Sequence, residues 1–366
     1  MERSLLQMVN RTNMMARLNS KYVKPLYFPN FYGLKKVSTL EWNTLVGDQG
    51  APVMADVISF DASAPQKSRE VLRKLSGDIP KLALQRSMNE KDYNEYKRLQ
   101  FECNNDVDKL ALLNLAFKDQ DFVYNGVRAR TEWMGLQLLS HGGFALNASN
   151  NAGIVTVEFV GCGLPKENKR VSTADWSNST SANGLQDIAD TLEEASQRGR
   201  MIKYIVMHTS DLILLCKQKS TSDTLKGWMN NTGKLTVTPE SINMYLATLP
   251  IPVRIVSVNS SVRYEDKNHM RKTVCPWERK RIALIEDLRV GDIRYRPIDK
   301  AKDPSVLEVK KDFITVSKWS ELFMEWTKAE GHAMPVINDP EGLFILRADN
   351  NPWPLYEDTE GWEVFL

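Results

Sequence analysis

Cysteine and histidine are the side chains in this sequence best suited to nucleophilic or metal chemistry, and their spacing keeps them apart. Cys103, Cys162, Cys216 and Cys275 are widely spread, with no CxxC or CxH pair to bring two ligands to one zinc ion. His141, His208, His269 and His332 form no HxH, HExxH or two-histidine, one-carboxylate pattern. Buried free thiols are the reading that follows. Glycine supplies no phosphate cradle: neither a P-loop nor GxGxxG occurs, Gly161-Cys162-Gly163 runs into Leu164 and Pro165 rather than a helix, and there is no GxSxG elbow. One set can be written as chemistry. Asp303, Glu308 and Lys310 could hold Mg²⁺ and activate water for cleavage of a nucleic acid. Yet Glu308 and Lys310 alternate about Val309, which makes them more simply the solvent face of a strand. The sequence therefore predicts no catalytic residue, no metal site and no cofactor.

The elements that would position such residues are more informative than the residues. Positions 106–141 keep a helical rhythm without proline for longer than any other stretch. Leu110, Leu113, Phe117, Val123, Val127, Met134 and Leu138 predict one apolar face, with Asp119, Gln120, Asp121, Arg128, Arg130 and Glu132 largely on the other. At about 1.5 Å per residue this is a rod on the order of 50 Å, long enough to want something extended beside it. Gly142 and Gly143 supply the stop, and Gly126 could divide the rod into two helices. Upstream, Ser87-Met88-Asn89-Glu90 reads as a capping box opening a helix through Tyr93, Tyr96 and Leu99. Residues 37–45 and 51–60 read as strands, and 46–80 as a long polar hairpin or extended loop. Such an element cannot bury a core of its own and is expected to reach onto a neighbour.

Downstream, 153–160 reads as a strand, and 166–183 is polar around Trp176, which reads as a packing anchor. From Asn183 helix and strand alternate. A helix closed by Gly199 precedes a strand over 201–207. A helix capped by Thr209 or Ser210 and another opened by Thr238-Pro239-Glu240 follow, then strands from Pro252 and over 281–286. Residues 183–290 thus form a compact α/β unit. A basic loop around Pro276 and Trp277 lies between Met270 and Arg281. The closing strand, 343–348, is expected to pair with 153–160 as a layer beside the rod.

With 42% apolar and 26% charged residues the composition is that of an ordinary globular protein. The opening has only a short apolar patch, Leu5 to Val9, and no window is long enough for a bilayer, so a soluble chain made inside the cell is expected. Net charge is +2, but residues 1–36 hold seven basic residues against Glu2 alone. That arm suggests a polyanion or an acidic partner surface. Elements that a monomer cannot bury are explained if the chain is one subunit of an assembly.

Taken in order, these elements resemble the major capsid proteins of tailed bacteriophages with the Hong Kong 97-like fold, and within them the lambda-type protein E family. The stretch APVMADVISFDASAPQKSREVLRKLSGDIPKLALQRSMNEKDYNEYKRL is similar to that family's extended loop. FVYNGVRARTEWMGLQLLSHGGFAL resembles the end of its spine helix, TADWSNSTSANGLQDI its approach to the axial domain, and HAMPVINDPEGLFILRAD its closing turn and strand. The resemblance implies an α+β fold divided into an N-terminal arm (1–36), an extended loop (37–86) and a peripheral domain with a long spine helix (87–182, spine about 106–141). An axial α/β domain (183–289), a return to the peripheral domain (290–350) and a C-terminal tail (351–366) complete it. It implies a structural protein, not an enzyme, that self-assembles as pentamers and hexamers into an icosahedral head around double-stranded DNA. Portal and scaffolding proteins, and decoration or head-completion proteins, are the further partners implied, with no membrane and with the virion as location. Arg3, Arg11, Arg17, Lys21 and Lys24 are then expected to face nucleic acid or scaffold, and Lys67, Arg69, Glu70, Arg73, Trp176 and Trp277 to contact neighbouring subunits. An encapsulin-type nanocompartment shell of the same fold is the nearer alternative, and the Mg²⁺-dependent enzyme the remote one.

Overall fold

The computed structural model describes residues 10–20, 24–46, 73–88, 90–102, 106–146, 150–151, 158–265, 270–298, 303–321 and 324–353. Helix α1 (Arg11–Leu18) opens at Asn10, whose side chain accepts from the Asn13 amide at 2.8 Å, and buries Met14 and Leu18. A four-residue helix, α2 (Phe28–Phe31), turns the chain into β1 (Tyr32–Lys36). Strands β2 (Glu41–Val46) and β3 (Arg73–Asp78) pair antiparallel and form the base of the predicted hairpin. The strand expected over 51–60 lies outside the described residues.

Strand β4 (Lys81–Met88) runs into α3 (Glu90–Glu102) and then into α4 (Asp106–His141), the rod anticipated from the sequence. Ser87 is not its cap. It lies within β4, paired with Trp326, and the helix begins only at Glu90. The rod is one continuous helix, closed by Gly142 at φ +80°, whose amide reaches the Leu138 carbonyl at 3.0 Å. Gly126 does not divide it. A Cβ there would lie 2.3 Å from Leu84 Cδ2, so the glycine lets β4 cross close to the helix. The expected two-faced pattern fails as well: Val123, Val127, Met134 and Leu138 are buried, but so are Asp119, Gln120 and Glu132. The helix is covered on more than one side, and these three polar side chains have protein partners. Arg86 reaches Asp119 at 3.2 Å, and a second buried pair, Lys318 with Glu325 at 3.6 Å, lies nearby. Burial pushes the Asp119 carboxyl up and the Lys318 amine down.

After α4, β5 (Gly143–Leu146) pairs with β6 (Glu158–Gly161), and β7 (Lys169–Val171) follows a single 3₁₀ turn. The α/β unit comprises α5 (Gly184–Gln197), β8 (Tyr204–His208), α6 (Thr209–Lys217), α7 (Lys219–Met229), α8 (Pro239–Leu246) and β9 (Arg254–Val258). Helix α7 has no counterpart among the elements read from sequence. Its polar run KSTSDT hid the period, which survives only in the buried Thr221 and Leu225. Helix α6 is capped not by Thr209 or Ser210 but by His208, whose Nδ1 accepts from the Ser210 amide at 3.1 Å. Thr238 caps α8 with Pro239 in its first turn, as the sequence indicates.

Strands β10 (Val262–Glu265) and β11 (Arg271–Val274) make a hairpin where a basic loop was expected. The chain ends with β12 (Arg281–Ile285), β13 (Gly291–Arg296), β14 (Leu307–Lys311), β15 (Ile314–Glu321), β16 (Met324–Ile337) and β17 (Leu343–Arg347). Two large sheets result. In the first, β16 is long enough to pair with β4 over its first half and β13 over its second, giving the order β1-β13-β16-β15-β14 with β4 beside β16. Helix α4 packs on this sheet, where Leu84 meets Gly126.

The second sheet runs β7-β17-β12-β8-β9. Here the sequence reading needs correction: β17 pairs with β12 and β7, and β6 with β5, so the closing strand joins the α/β unit instead of residues 158–161. Every residue of β12 is buried because the sheet separates two cores. Ala283, Ile285, Val206 and Ile345 face the core that holds α4, while Ile282, Leu284, Ile205 and Phe344 face that of α5 to α8.

Candidate interaction surfaces

The arm lies along the rod. Met14 gives its carbonyl to Gln120 Nε2 at 2.8 Å, Leu18 gives its own to Lys311 Nζ at 2.7 Å, and Asn125 accepts from the Lys24 amide at 3.2 Å. Arg17 is turned inward. Its guanidinium holds Asp121 through two nitrogens, at 2.6 and 3.0 Å, and reaches Asn114 Oδ1 at 3.0 Å. That removes Arg17 from the set expected to face nucleic acid. Arg11 and Lys24 are exposed, whereas Arg3 and Lys21 lie outside the described residues. Lys35 and Lys36 are exposed on β1.

Of the expected subunit contacts, Lys67, Arg69, Glu70 and the Arg73 side chain lie outside the described residues. The Arg73 backbone pairs with Val46 in the hairpin base. The two tryptophans are corrections. Trp176 is 1% exposed and donates to Asp187 Oδ2 at 2.9 Å, and Trp277, equally buried, donates to the Arg281 carbonyl at 2.9 Å. Both spend their area inside the chain, Trp176 as the packing anchor its polar surroundings suggested.

The residues considered for chemistry have structural roles. Cys162 is buried, which pushes its thiol up to about 12 and leaves it protonated and unreactive at neutral pH. Burial likewise raises the Cys216 and Cys275 thiols. Glu308 and Lys310 flank the buried Val309 on the open side of β14, 3.7 Å apart, and Lys310 also reaches the Ile298 carbonyl at 3.2 Å. Asp303 closes a turn by accepting from the Ser305 hydroxyl and amide at 2.6 and 2.8 Å; these bonds lower its carboxyl below the usual range. Among the described residues no group of three or more His, Cys, Asp or Glu side chains is arranged to hold a metal, and no helix is long and apolar enough to cross a membrane.

Sequence reasoning missed the buried carboxylates that join the elements. Glu132, fully buried on α4, accepts from the Tyr27 and Phe28 amides at 3.1 and 2.7 Å and from the Ser260 hydroxyl at 2.8 Å. One side chain thereby ties arm, rod and the strand exit of the α/β unit. Asp211 accepts from the Lys280 amide at 3.0 Å and pairs with Arg279, and Asp187 gathers Trp176 and Thr173. Burial raises the Asp211 carboxyl against the opposing pull of Arg279. Partners more than a hundred positions away, in the case of Glu132, leave no local signal.

No protein-family model and no curated protein sequence matches the chain. Among solved structures, the capsid protein assigned to a prophage of E. coli CFT073 aligns over 93% of this chain and 99% of its own, with a TM-score of 0.54 at 12% identity. The chain has the Hong Kong 97-like capsid fold. A phage-related protein of Bordetella bronchiseptica RB50 and a structure from Mycobacterium phage Adephagia are more distant, each at TM-score 0.48 and 10% identity over 94% of this chain and 99% of theirs. We call α4 the spine, the sheet on which it packs the peripheral sheet, and the second sheet with α5 to α8 the axial sheet.

Proposed function

We propose that this chain is the major head protein of a tailed bacteriophage, a structural rather than catalytic subunit. Copies assemble as pentamers and hexamers into an icosahedral shell around packaged double-stranded DNA. The observation that carries the reading is a capsid fold matched over 93% of this chain, with arm, hairpin base, spine and axial unit in one order. The structural roles of Cys162, His208, Asp303, Glu308 and Lys310 support it. The division into arm (1–36), extended loop (37–86), peripheral domain (87–182 with 290–350), axial domain (183–289) and tail (351–366) is part of the proposal, amended by the place of β17 in the axial sheet. Many weak contacts per subunit suffice for closure, since each new contact forms at high effective concentration. Arg11 and Lys24, with Arg3 and Lys21, are the arm residues offered to phosphate or to an acidic scaffold, a contact that weakens with salt. Portal and scaffolding proteins are the partners proposed for such a shell, with decoration or head-completion proteins as further candidates, and the virion, built in the host cytoplasm, is its proposed place.

The test is particle size. Expressed alone at moderate salt, the chain is expected to give closed particles, sheets or capsomer rings by size exclusion and negative-stain microscopy. DNA-free particles that carry a co-purifying enzyme would replace the phage head with a nanocompartment. A stable monomer showing Mg²⁺-dependent nuclease activity lost in Glu308→Gln would overturn both.

A further inference from the structure

Beyond the end of β17 the chain folds back on itself in a way that neither sheet needs for its own pairing. Asn350 adopts φ +52°, turning the backbone. Asp349 accepts from Nε and Nη2 of Arg347, at 2.6 and 3.0 Å, and lies 3.9 Å from Arg281. The Pro352 carbonyl accepts from Arg347 at 2.8 Å. These contacts deliver Trp353, only 8% exposed, to a place where four elements meet.

Its indole N–H donates to the Arg170 carbonyl of β7 at 3.1 Å. Its ring lies 4.7 Å from the Arg281 guanidinium of β12, 5.9 Å from that of Arg347 on β17, and 5.5 Å from the Lys169 amine. On the remaining side the ring is 6.5 Å from His141, the last residue of the spine, and it belongs to the core that contains Leu138 and Leu139. The indole N–H of Trp353 thus bonds to the axial sheet at β7 while its ring packs toward the end of the spine. Three cations around one buried ring form a cation–π cluster whose attraction grows with desolvation. Strand β7 has only three residues in register with β17, so the Arg170 bond is a substantial part of what holds it.

We propose that residues 349–353 are a latch that fixes the axial sheet against the end of the spine. Residues 354–366 continue directly from Trp353, so a partner that draws on the tail draws on this junction. The proposal rests on the fold alone and stands whether or not the chain builds a shell.

Hydrogen exchange on the full chain tests it. Trp353→Ala is expected to speed exchange roughly tenfold or more in β7 and in the last turn of α4, while β8 and β12 keep their rates. Trp353→Phe keeps a ring for Arg281 and His141 but has no N–H, so it should loosen β7 and spare the spine end; it also serves if the alanine variant fails to fold. Deleting 354–366 should change neither site. Wild-type rates at β7 and the spine end in Trp353→Ala would overturn the latch. So would an equal acceleration across the whole axial sheet, which would make Trp353 an ordinary core residue.

Discussion

Replacing Glu132 by alanine strips the acceptor from three donors at once, the Tyr27 and Phe28 amides and the Ser260 hydroxyl, in a place with no solvent. A hydrogen bond to a charged group is worth about 1.5–3 kcal/mol, and an unmet buried donor costs about 1–3 kcal/mol. Three such losses are not additive, because the cavity left by the side chain admits water to part of the site. A net cost of about 3–5 kcal/mol is reasonable, a large share of the roughly 5–15 kcal/mol that separates folded from unfolded domains. The loss should fall first on α2, which has a single turn and no side-chain cap of its own. Exchange of the Phe28 amide reads that opening directly and avoids the assumption that a chain of this size unfolds in one step. At tenfold per about 1.4 kcal/mol, Glu132→Ala should raise the Phe28 rate by at least about a hundredfold. Glu132→Gln, which keeps one carbonyl oxygen, should lie between. An increase below about threefold in the alanine variant would refute the argument, since the carboxylate would then not be what holds the arm to the spine.

Three other outcomes follow from the same geometry. Gly126→Ala gains about 1 kcal/mol of helix propensity but drives its methyl into Leu84 Cδ2, so a net loss of about 1–2 kcal/mol is expected in urea melts, relieved in the pair with Leu84→Ala. Cys162 should resist a thiol reagent at mildly alkaline pH until the chain is unfolded, because its thiol sits at about 12; rapid labelling of the native chain would contradict the burial. Burial alone would raise the Asp349 carboxyl, but Arg347 and Asn351 outweigh it and hold it at about 2, below the usual 3.8. Its contribution is therefore present above 3.8 and lost as pH falls through about 2, so the gap in thermal stability between the native chain and Asp349→Asn should close over that interval.

The sequence by itself determined what depends on near neighbours. The bounds of the spine, its stop at Gly142 and the Thr238-Pro239 start of α8 could all be read directly. They are set by bonds three or four residues apart, so the information is local. The strand character of β12 and β17 was legible for the same reason, from residue type and length. Which strands pair was not. A buried strand of Ile, Leu and Ala fits many neighbours, and only the packed fold sets β17 beside β12 instead of residues 158–161. Tertiary structure also decided the fate of the polar residues. Periodicity placed Asp119, Gln120 and Glu132 on a solvent face, but the arm and the peripheral sheet cover the spine there and supply their partners. Arg17 could have faced DNA by charge alone; Asp121, 104 positions away, turned it inward. The family resemblance made Trp176 and Trp277 subunit contacts, and long-range packing buries both inside the chain, Trp176 as the anchor its surroundings suggested. A side chain's type states what it can bind, and only the fold brings the partner within about 3 Å.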